Sequence, residues 1–360
     1  MGVTAGIVGL PNVGKSTLFN AMTGAKALVA NYPFATISPN VGFVDIADER
    51  LWRIAEIVHP QRVVPAAFSF TDIAGLVKGA SHGEGLGNQF LAHVREVDAI
   101  CHVVRCFEDP DVAHVTGEID PLADVEVVNL ELIIADLEVV ERRLPKIEKK
   151  AQLKVEPEVE IEYRALVKIA EKLRSGKPAR DCALTPEEAA AIKNYNFLTL
   201  KPVIYVLNTG EDGENGLAAA AKKALGDAPV VTICAEVEAE LAALDKDSRE
   251  AFMQELRIKE SGLQKLARET FRLLGLATFI TAGEKEVKAW TFKRGMNARQ
   301  CAGIIHSDFE KGFIRAEVIA YEDFIACGDM QKAREAGKVR SEGKDYRVAD
   351  GDIMLFRFNV

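Results

Sequence analysis

A short apolar run, Ala5–Val8, leads directly into Gly9-Leu10-Pro11-Asn12-Val13-Gly14-Lys15-Ser16 and then into Thr17–Met22, which has helical character. This order constrains the chain more than any other feature in it. A strand, a glycine loop and a helix N-terminus turn successive backbone N–H groups toward one point, and that point attracts phosphate oxygens. The segment matches G-x-x-x-x-G-K-S/T. The glycines permit the nest, Lys15 places a positive charge on the β- and γ-phosphates, and Ser16 offers a hydroxyl to Mg²⁺. Asn12, Val13, Gly14, Lys15, Ser16 and Thr17 are therefore the candidate nucleotide cradle. A chance match is the competing reading, and placement after a strand opposes it.

Further strand-like runs stand at Val41–Asp45, Ala67–Asp72, Ala99–Arg105, Pro202–Asn208 and Val230–Cys234, with helical stretches between most of them. Several are continuously apolar, as in a parallel sheet covered on both faces, so an α/β fold is expected. Asp72-Ile73-Ala74-Gly75 closes one of these runs. Asp72 can hold the Mg²⁺ shell through water, and the Gly75 N–H can meet the γ-phosphate. Thr36, in the polar loop Asn31–Thr36, can add a second hydroxyl to the metal. Alone it would be an ordinary loop threonine; the flanking motifs give it the ligand reading. Lys78–Asn88 holds four glycines in eleven positions. That stretch is too flexible for core and suits a mobile second switch. The order is that of switch NTPases, in which γ-phosphate and Mg²⁺ hold two loops that relax after hydrolysis.

Composition narrows the class. The chain has 360 residues, with 48% hydrophobic and 28% charged residues, ordinary values for a folded protein of two or three domains. The longest apolar runs, such as Ala99–Val104, fall far short of the roughly 20 residues of a bilayer helix. Met1–Gly6 shows no signal-peptide pattern, and the six cysteines have neither zinc-like nor redox spacing, so a cytoplasmic location with reduced thiols is expected. The formal charge of -9 is uneven: residues from Thr278 onward hold 14 Lys+Arg against 13 Asp+Glu. An acidic body argues against indiscriminate nucleic-acid binding while leaving room for a local basic patch.

The strand–helix alternation breaks between about Leu130 and Asn194. Leu130, Ile133, Leu137, Val140, Leu144, Ile147 and Ala151 recur at steps of three and four, and after a polar break the pattern resumes with Val159, Tyr163, Leu166, Ala170 and Leu173. Two such seams predict an antiparallel helical hairpin, read here as an arm projecting from the domain. Thr185-Pro186-Glu187-Glu188 is a capping box that starts a separate helix. The tail holds strand-like stretches at Val287–Phe292 and Gly312–Ile319, a helix at Asn297–His306, and two strands within Asp345–Phe358 separated by the turn Asp350-Gly351. A separate α+β domain is therefore expected from about Thr278 to Val360.

Gly9–Ser16, Asp72–Gly75 and Leu76–Asn88 together resemble the Obg-like ATPases, the YchF subfamily of translation-factor-type P-loop NTPases. The similarity continues through Asn208-Thr209-Gly210-Glu211, His306–Arg315 and Gly343–Asp352, and so covers nearly the whole chain. The resemblance implies a P-loop G domain with a mostly parallel sheet over residues 1–277, carrying an inserted helical arm at about 125–200. It also implies a C-terminal TGS domain of β-grasp type over residues 278–360.

Base selection weighs family and physics together. GTPases use N-K-x-D, whose Asp binds the ring N–H and 2-amino group of guanine; here the Lys is absent and the longer Glu211 cannot keep the Asp geometry without moving its backbone. The Asn208 amide can accept from adenine N6–H and donate to N7. Thr209 lies in the same segment. The resemblance adds that N-x-x-E proteins of this group favour ATP. Cys234-Ala235-Glu236 takes the place of the last base-contacting loop, with Ala235 acting through its backbone; a buried structural Cys234 is the competing reading.

For hydrolysis, the position where Ras-like enzymes orient water with Gln holds Leu76, which has no polar group. Lys15, Gly75 and Mg²⁺ remain. Asn12 is a candidate for binding a monovalent cation such as K⁺, and His82 and His114 are candidate water positioners, although a loop histidine is more commonly solvated. The tail carries Lys285, Lys288, Lys293, Arg294 and Arg299 with Trp290 and Phe292 interleaved, which is compatible with RNA contact and equally with core packing.

The leading expectation is an Mg²⁺-dependent ATPase with slow intrinsic turnover, whose nucleotide state modulates engagement with the ribosome. The resemblance implies the large subunit and a role in translation or stress response, with RNA contact through arm and TGS domain. A GTPase, and a ribosome or RNA adaptor with a mainly structural nucleotide site, are the alternatives. A monomer away from membranes is the default.

Overall fold

The structure, a computed structural model, describes residues 3–24, 40–73, 85–110, 112, 118–153, 156–255 and 260–359. Thr36, Gly75, Leu76, His82 and His114 lie outside the described residues. In chain order come β1 (Thr4–Val8), α1 (Lys15–Gly24), β2 (Val41–Asp45), α2 (Glu49–Val58), β3 (Val63–Val64), β4 (Ala67–Asp72), α3 (Gly85–Glu96) and β5 (Ala99–Arg105). Next are α4 (Pro121–Gln152), α5 (Pro157–Arg174), α6 (Pro186–Ala191), β6 (Val203–Asn208), α7 (Gly216–Leu225), β7 (Val230–Ile233), α8 (Ala235–Ala243), α9 (Lys246–Glu255) and α10 (Gly262–Leu273). The chain ends with β8 (Leu276–Ala282), β9 (Val287–Lys293), α11 (Ala298–Ile305), α12 (Ser307–Lys311), β10 (Phe313–Ile319), α13 (Tyr321–Cys327), α14 (Met330–Glu335), β11 (Arg340–Glu342) and β12 (Ile353–Phe358).

The expected strands form one sheet of order β2-β4-β1-β5-β6-β7, and the pairs β1–β4, β1–β5, β5–β6 and β6–β7 are all parallel. β5 and β6 are buried at every position, as their unbroken apolar sequence requires when both faces are covered. Neighbours on either side of β1 come from different parts of the chain, so the strand order reverses at β1.

The periodic stretch forms the predicted hairpin. α4 starts on an Asp120 cap with Pro121 in its first turn, and α5 starts with Pro157 in its first turn. Arg143 of α4 pairs with Glu162 of α5, Lys150 with Glu156 and Glu141 with Arg174, the descending-against-ascending order of antiparallel helices. Ile133, Val140 and Ile147 meet Ala165, Leu166, Ile169 and Leu173 in one apolar cluster that also takes in Ala179, Ile192 and Phe197. The predicted capping box closes with Thr185 Oγ1 and Glu188 Oε2 each accepting a backbone N–H.

Contacts divide the chain into two compact units, and the second takes in Phe43–Phe68 together with Gln264–Val360. This differs from the boundary expected near residue 278, which falls inside β8. The reason is pairing and burial: β3 pairs in parallel with β9, and α2 packs on β8 and β9. The second sheet has the order β11-β10-β12-β8-β9-β3, with β8 and β12 adjacent and parallel and the hairpin partners on either side. Two hairpins flanking a parallel central pair, crossed by α11, form the expected β-grasp. α11 begins on a capping box of Asn297 and Gln300 and buries Ala298, Cys301 and Ala302 against Phe279, Phe292, Ala316 and Phe356. Only one of the two strands expected in Asp345–Phe358 forms; residues around Arg347 make an isolated bridge to Asn297, and the extra strand is β11 instead. Phe292 is core, and Trp290 is half-buried with Nε1 donating to Thr281 Oγ1 at 2.9 Å and Lys288 over its ring. Base stacking on these two aromatics is therefore not what the fold offers.

Asp350 ties the turn before β12 to the rest of this unit. Its Oδ1 accepts from the Thr278 N–H and from Arg50, both at 3.1 Å, and its Oδ2 accepts from Arg294 at 2.9 Å. Burial alone would raise its carboxyl pKa, but these donors outweigh it and hold the group below the usual carboxylate range. A carboxylate held low contributes stability above its unfolded value, about 3.9, and loses it as pH falls through the folded value. Thermal unfolding between pH 3 and 7 should therefore show Tm dropping below about pH 4. Asp350→Asn should start less stable and have a flatter acid limb; parallel limbs would contradict this account.

Candidate functional site

Five strands of the first sheet end at one edge. Ile7 lies opposite Asp72, Val8 opposite His102, Arg105 opposite Asn208, and Asn208 opposite Ile233. The loop after β1 opens at this carboxyl edge, at the strand-order reversal, where open α/β sheets bind ligands.

The loop's shape is enforced at its glycines. Gly14 has φ +94°, and a Cβ there would stand 2.2 Å from the Asn208 amide nitrogen. At Gly9 a Cβ would meet the Val103 carbonyl oxygen at 2.5 Å. Asn12 is also left-handed, at φ 62°, a conformation asparagine tolerates. α1 then begins at Lys15, with Leu18 N–H donating to the Gly14 carbonyl at 3.0 Å.

Lys15 is buried, and its ammonium donates to the Leu10 carbonyl at 2.7 Å, back across the loop. Burial lowers its pKa to about 8, with the Asp72 carboxylate partly opposing the shift. Burial in turn raises the Asp72 carboxyl while Lys15 lowers it. A half-buried anion and a buried cation thus face one another across the mouth of the loop. Among the described residues, the exposed Ser16 hydroxyl in the first turn of α1 has no hydrogen-bond partner and the Asp72 carboxylate accepts no hydrogen bond. Two oxygen donors left for a ligand, one anionic, are a donor set suited to Mg²⁺.

Asn208 holds the frame together. Its Nδ2 donates to the Val13 carbonyl at 3.0 Å, and its Oδ1 accepts the Ala235 N–H at 3.0 Å. It is 4% exposed. The amide expected to read the purine thus bridges two loops of the protein, and the Ala235 N–H is one of its partners. The physical reason is that the β1–α1 and β7–α8 loops converge on the end of β6, and their buried polar groups satisfy one another. Thr209 is also buried, with its N–H on the Ile233 carbonyl at 2.9 Å. Glu211, by contrast, is exposed in the turn beyond and makes no hydrogen bond or ion pair among the described residues.

Two further residues at this edge escaped the sequence reading. Arg105, 1% exposed, donates to the carbonyls of Phe107, Val112 and Asp109 at 3.1, 3.0 and 3.3 Å and folds the chain beyond β5. An arginine closing an apolar strand was the available signal. His102 is buried beside Tyr205, its ring centroid 5.6 Å away, and burial lowers its pKa to about 3, so it stays neutral. Nothing in its sequence context separates it from the apolar run.

With this geometry in place, similarity to known proteins takes on meaning. A family model described as a 50S ribosome-binding GTPase matches residues 4–136, and the YchF-GTPase C-terminal model, described as a protein of unknown function, matches residues 276–359, beginning where β8 begins. Ribosome-binding ATPase YchF of Bacillus subtilis (strain 168) is 55% identical over 367 residues, covering 100% of both chains. The protein of that name from Escherichia coli O157:H7 is 52% identical with the same coverage. The solved structure of the Schizosaccharomyces pombe YchF GTPase matches with a TM-score of 0.89 at 36% identity, covering 99% of this chain and 97% of that one.

Two outcomes follow from the site. Asn208→Ala removes two buried hydrogen bonds, each worth on the order of 1 kcal/mol or more. Calorimetric titration should show affinity for ATP and GTP falling about tenfold alike; loss of one purine only would return Asn208 to a base-reading role. Lys15 must be charged to meet phosphate, and its ligand-free pKa lies near 8. Triphosphate affinity should therefore be flat below about pH 7 and weaken as pH rises through about 8, with proton uptake on binding. Lys15→Arg should abolish that dependence.

Proposed function

This chain belongs to the YchF family of P-loop NTPases, and from that premise we propose that it hydrolyses ATP to ADP and phosphate and that its nucleotide state governs binding to the ribosome. The observation that carries the reading is the convergence of Lys15, Ser16 and Asp72 at one sheet edge beneath a loop whose backbone can cradle phosphate. Ser16 and Asp72, the latter through water, hold Mg²⁺, which when bound neutralises phosphate charge. Thr36 joins them as a second hydroxyl, and the Gly75 N–H meets the γ-phosphate. Lys15 anchors the phosphates, with Val13, Gly14 and Thr17 completing the cradle. Asn12 takes a K⁺ ion, and His82 and His114 are the candidates for orienting water where Leu76 offers nothing.

Purine choice rests on the turn after β6. Thr209 is pinned to Ile233, so Glu211 cannot shift back to the position a shorter Asp would take against guanine. Glu211 and Thr209 then frame the base while Asn208 and Ala235 hold the frame. ATP is favoured on this ground, and the relatives named ribosome-binding ATPase point the same way. A GTPase is the second reading, favoured by the name of the fission-yeast structure.

The domain reading is a G domain over 1–277 with an arm at about 125–200, and a TGS domain over 278–360. Arm and TGS domain are the proposed contacts to the large subunit and its RNA, with translation or the stress response as the process modulated. The protein acts as a cytoplasmic monomer, and among the described residues no helix is long and apolar enough to cross a membrane.

Titrating the protein with ATP, ADP, GTP and GDP in Mg²⁺ buffer, with K⁺ and then Na⁺, tests the purine and cation assignments. Tighter GTP binding would overturn the ATP assignment. Lys15→Ala should lower phosphate release by about a hundredfold and abolish nucleotide-dependent ribosome co-sedimentation. Unchanged, nucleotide-independent co-sedimentation would instead identify an adaptor.

A further inference from the structure

Cys106 lies one residue beyond β5, at the carboxyl edge of the first sheet, and both of its backbone groups are taken by the chain that joins β6 to α7. Its N–H donates to the Asn208 carbonyl at 2.8 Å, and its carbonyl accepts from Asn215 Nδ2 at 2.6 Å. Asn208 precedes the connecting turn and Asn215 ends it, so one buried residue holds the turn at both ends. The chain around Cys106 is itself fixed. Arg105, directly before it, donates to the carbonyls of Phe107, Asp109 and Val112.

Between its ends the turn stands open. The Gly213 N–H donates to the Gly210 carbonyl at 3.1 Å, with Glu211 as the second residue of the turn so closed and Gly213 left-handed at φ +82°. A Cβ at Gly210, Gly213 or Gly216 would meet nothing within 4 Å. Glu211, Asp212 and Glu214 are exposed, and the ion pair of Glu214 with Lys222 at 3.6 Å is a surface contact of small worth. A turn open on these sides takes its course from its anchors. Thr209 supplies the near one, its N–H on the Ile233 carbonyl. Pinned there alone, the turn could swing about that point; the second anchor stops the swing.

Asn215 does more than cap a helix. Its Oδ1 accepts the Ala218 N–H at 3.0 Å in the first turn of α7. Serine, threonine or aspartate would cap in the same way, each through a side-chain oxygen. The Cys106 carbonyl needs a donor at the same time, and the carboxamide carries an acceptor and a donor on one plane.

We propose that Asn215 is a specificity-determining positioning residue: by tying the far end of the turn to Cys106, it keeps the Glu211 carboxylate from swinging back to where it would serve guanine. This role rests on the base-framing role of Glu211 proposed above. It acts on purine choice and not on the chemical step, because the Asn215 amide bonds to Cys106 and Ala218 and not to Lys15, Ser16 or Asp72.

Calorimetric titration of the full-length protein with ATP, GTP, ADP and GDP in Mg²⁺ buffer provides the test. Asn215→Asp keeps the cap and loses the donor, so the ratio of Kd for GTP to Kd for ATP should fall about threefold. The diphosphate pair should shift by the same factor, since the base and not the phosphate senses the change. At saturating ATP, kcat should stay within about twofold of wild type. Asn215→Ser, which also caps, should shift the ratio the same way and keeps the test open if the added charge disturbs folding. Glu211→Ala should move the ratio as well, and adding Asn215→Asp to it should move the ratio no further, since both act through one carboxylate. An unchanged ratio in both Asn215 variants would overturn the proposal, as would equal weakening of ATP and GTP. A ratio that Glu211→Ala moves and the Asn215 variants do not would sink the proposal alone. Glu211→Ala leaving the ratio at its wild-type value would sink the base-framing reading, and this role of Asn215 with it.

Discussion

Two hydrogen bonds from one buried amide hold the nucleotide edge in shape. Asn208 stands at the end of β6, and its amide joins the Val13 carbonyl of one loop to the Ala235 N–H of another. Each loop belongs to a different strand–helix unit. Leaving such groups unpaired in the interior would cost about 1–3 kcal/mol each. The same contact explains Gly14, since any side chain there would collide with the Asn208 amide. The loops at this edge are therefore braced against one another, and the turn that carries Glu211 starts from a residue pinned to β7.

Charge is handled by placement. Lys15 and Asp72 each sit where burial disfavours their charge and the other restores it, which prepares the mouth of the loop for a ligand carrying both phosphate and metal. Arg105 and Lys201 are buried cations satisfied by carbonyls; Arg105 fixes the chain leaving β5 at that edge, and Lys201 fixes the end of α3 at the opposite, amino edge of the sheet. Asp136 is the anionic counterpart, satisfied by three donors from residues 198–199. Buried charge in the first unit thus marks the joints between elements.

Much of this was legible in the residues. The strands at 41–45, 67–72 and 99–105 stand where apolar runs were bounded by turn residues, and the hairpin follows from steps of three and four closed by Pro157. The capping box at Thr185 marked a helix start because its hydrogen bonds are local, and the helix expected from Asn297 starts on one as well. Misreadings came where partners are distant in sequence. The stretch 345–349 has strand character, yet its register partner is a lone bridge, while 43–68 joins the second unit through β3 and α2, a pairing with β9 more than two hundred residues away.

The amino-acid order by itself determined the phosphate cradle, the parallel sheet, the hairpin and the family, because each is written in short-range patterns: glycine spacing, hydrophobic period and caps. Tertiary structure decided what the amide of Asn208 does, which segments build the second unit, and that Lys201 and Asp136 end one helix against another. Those depend on which distant groups are buried together, and a buried donor or acceptor takes the partner that the fold brings within about 3 Å, whatever its separation along the chain.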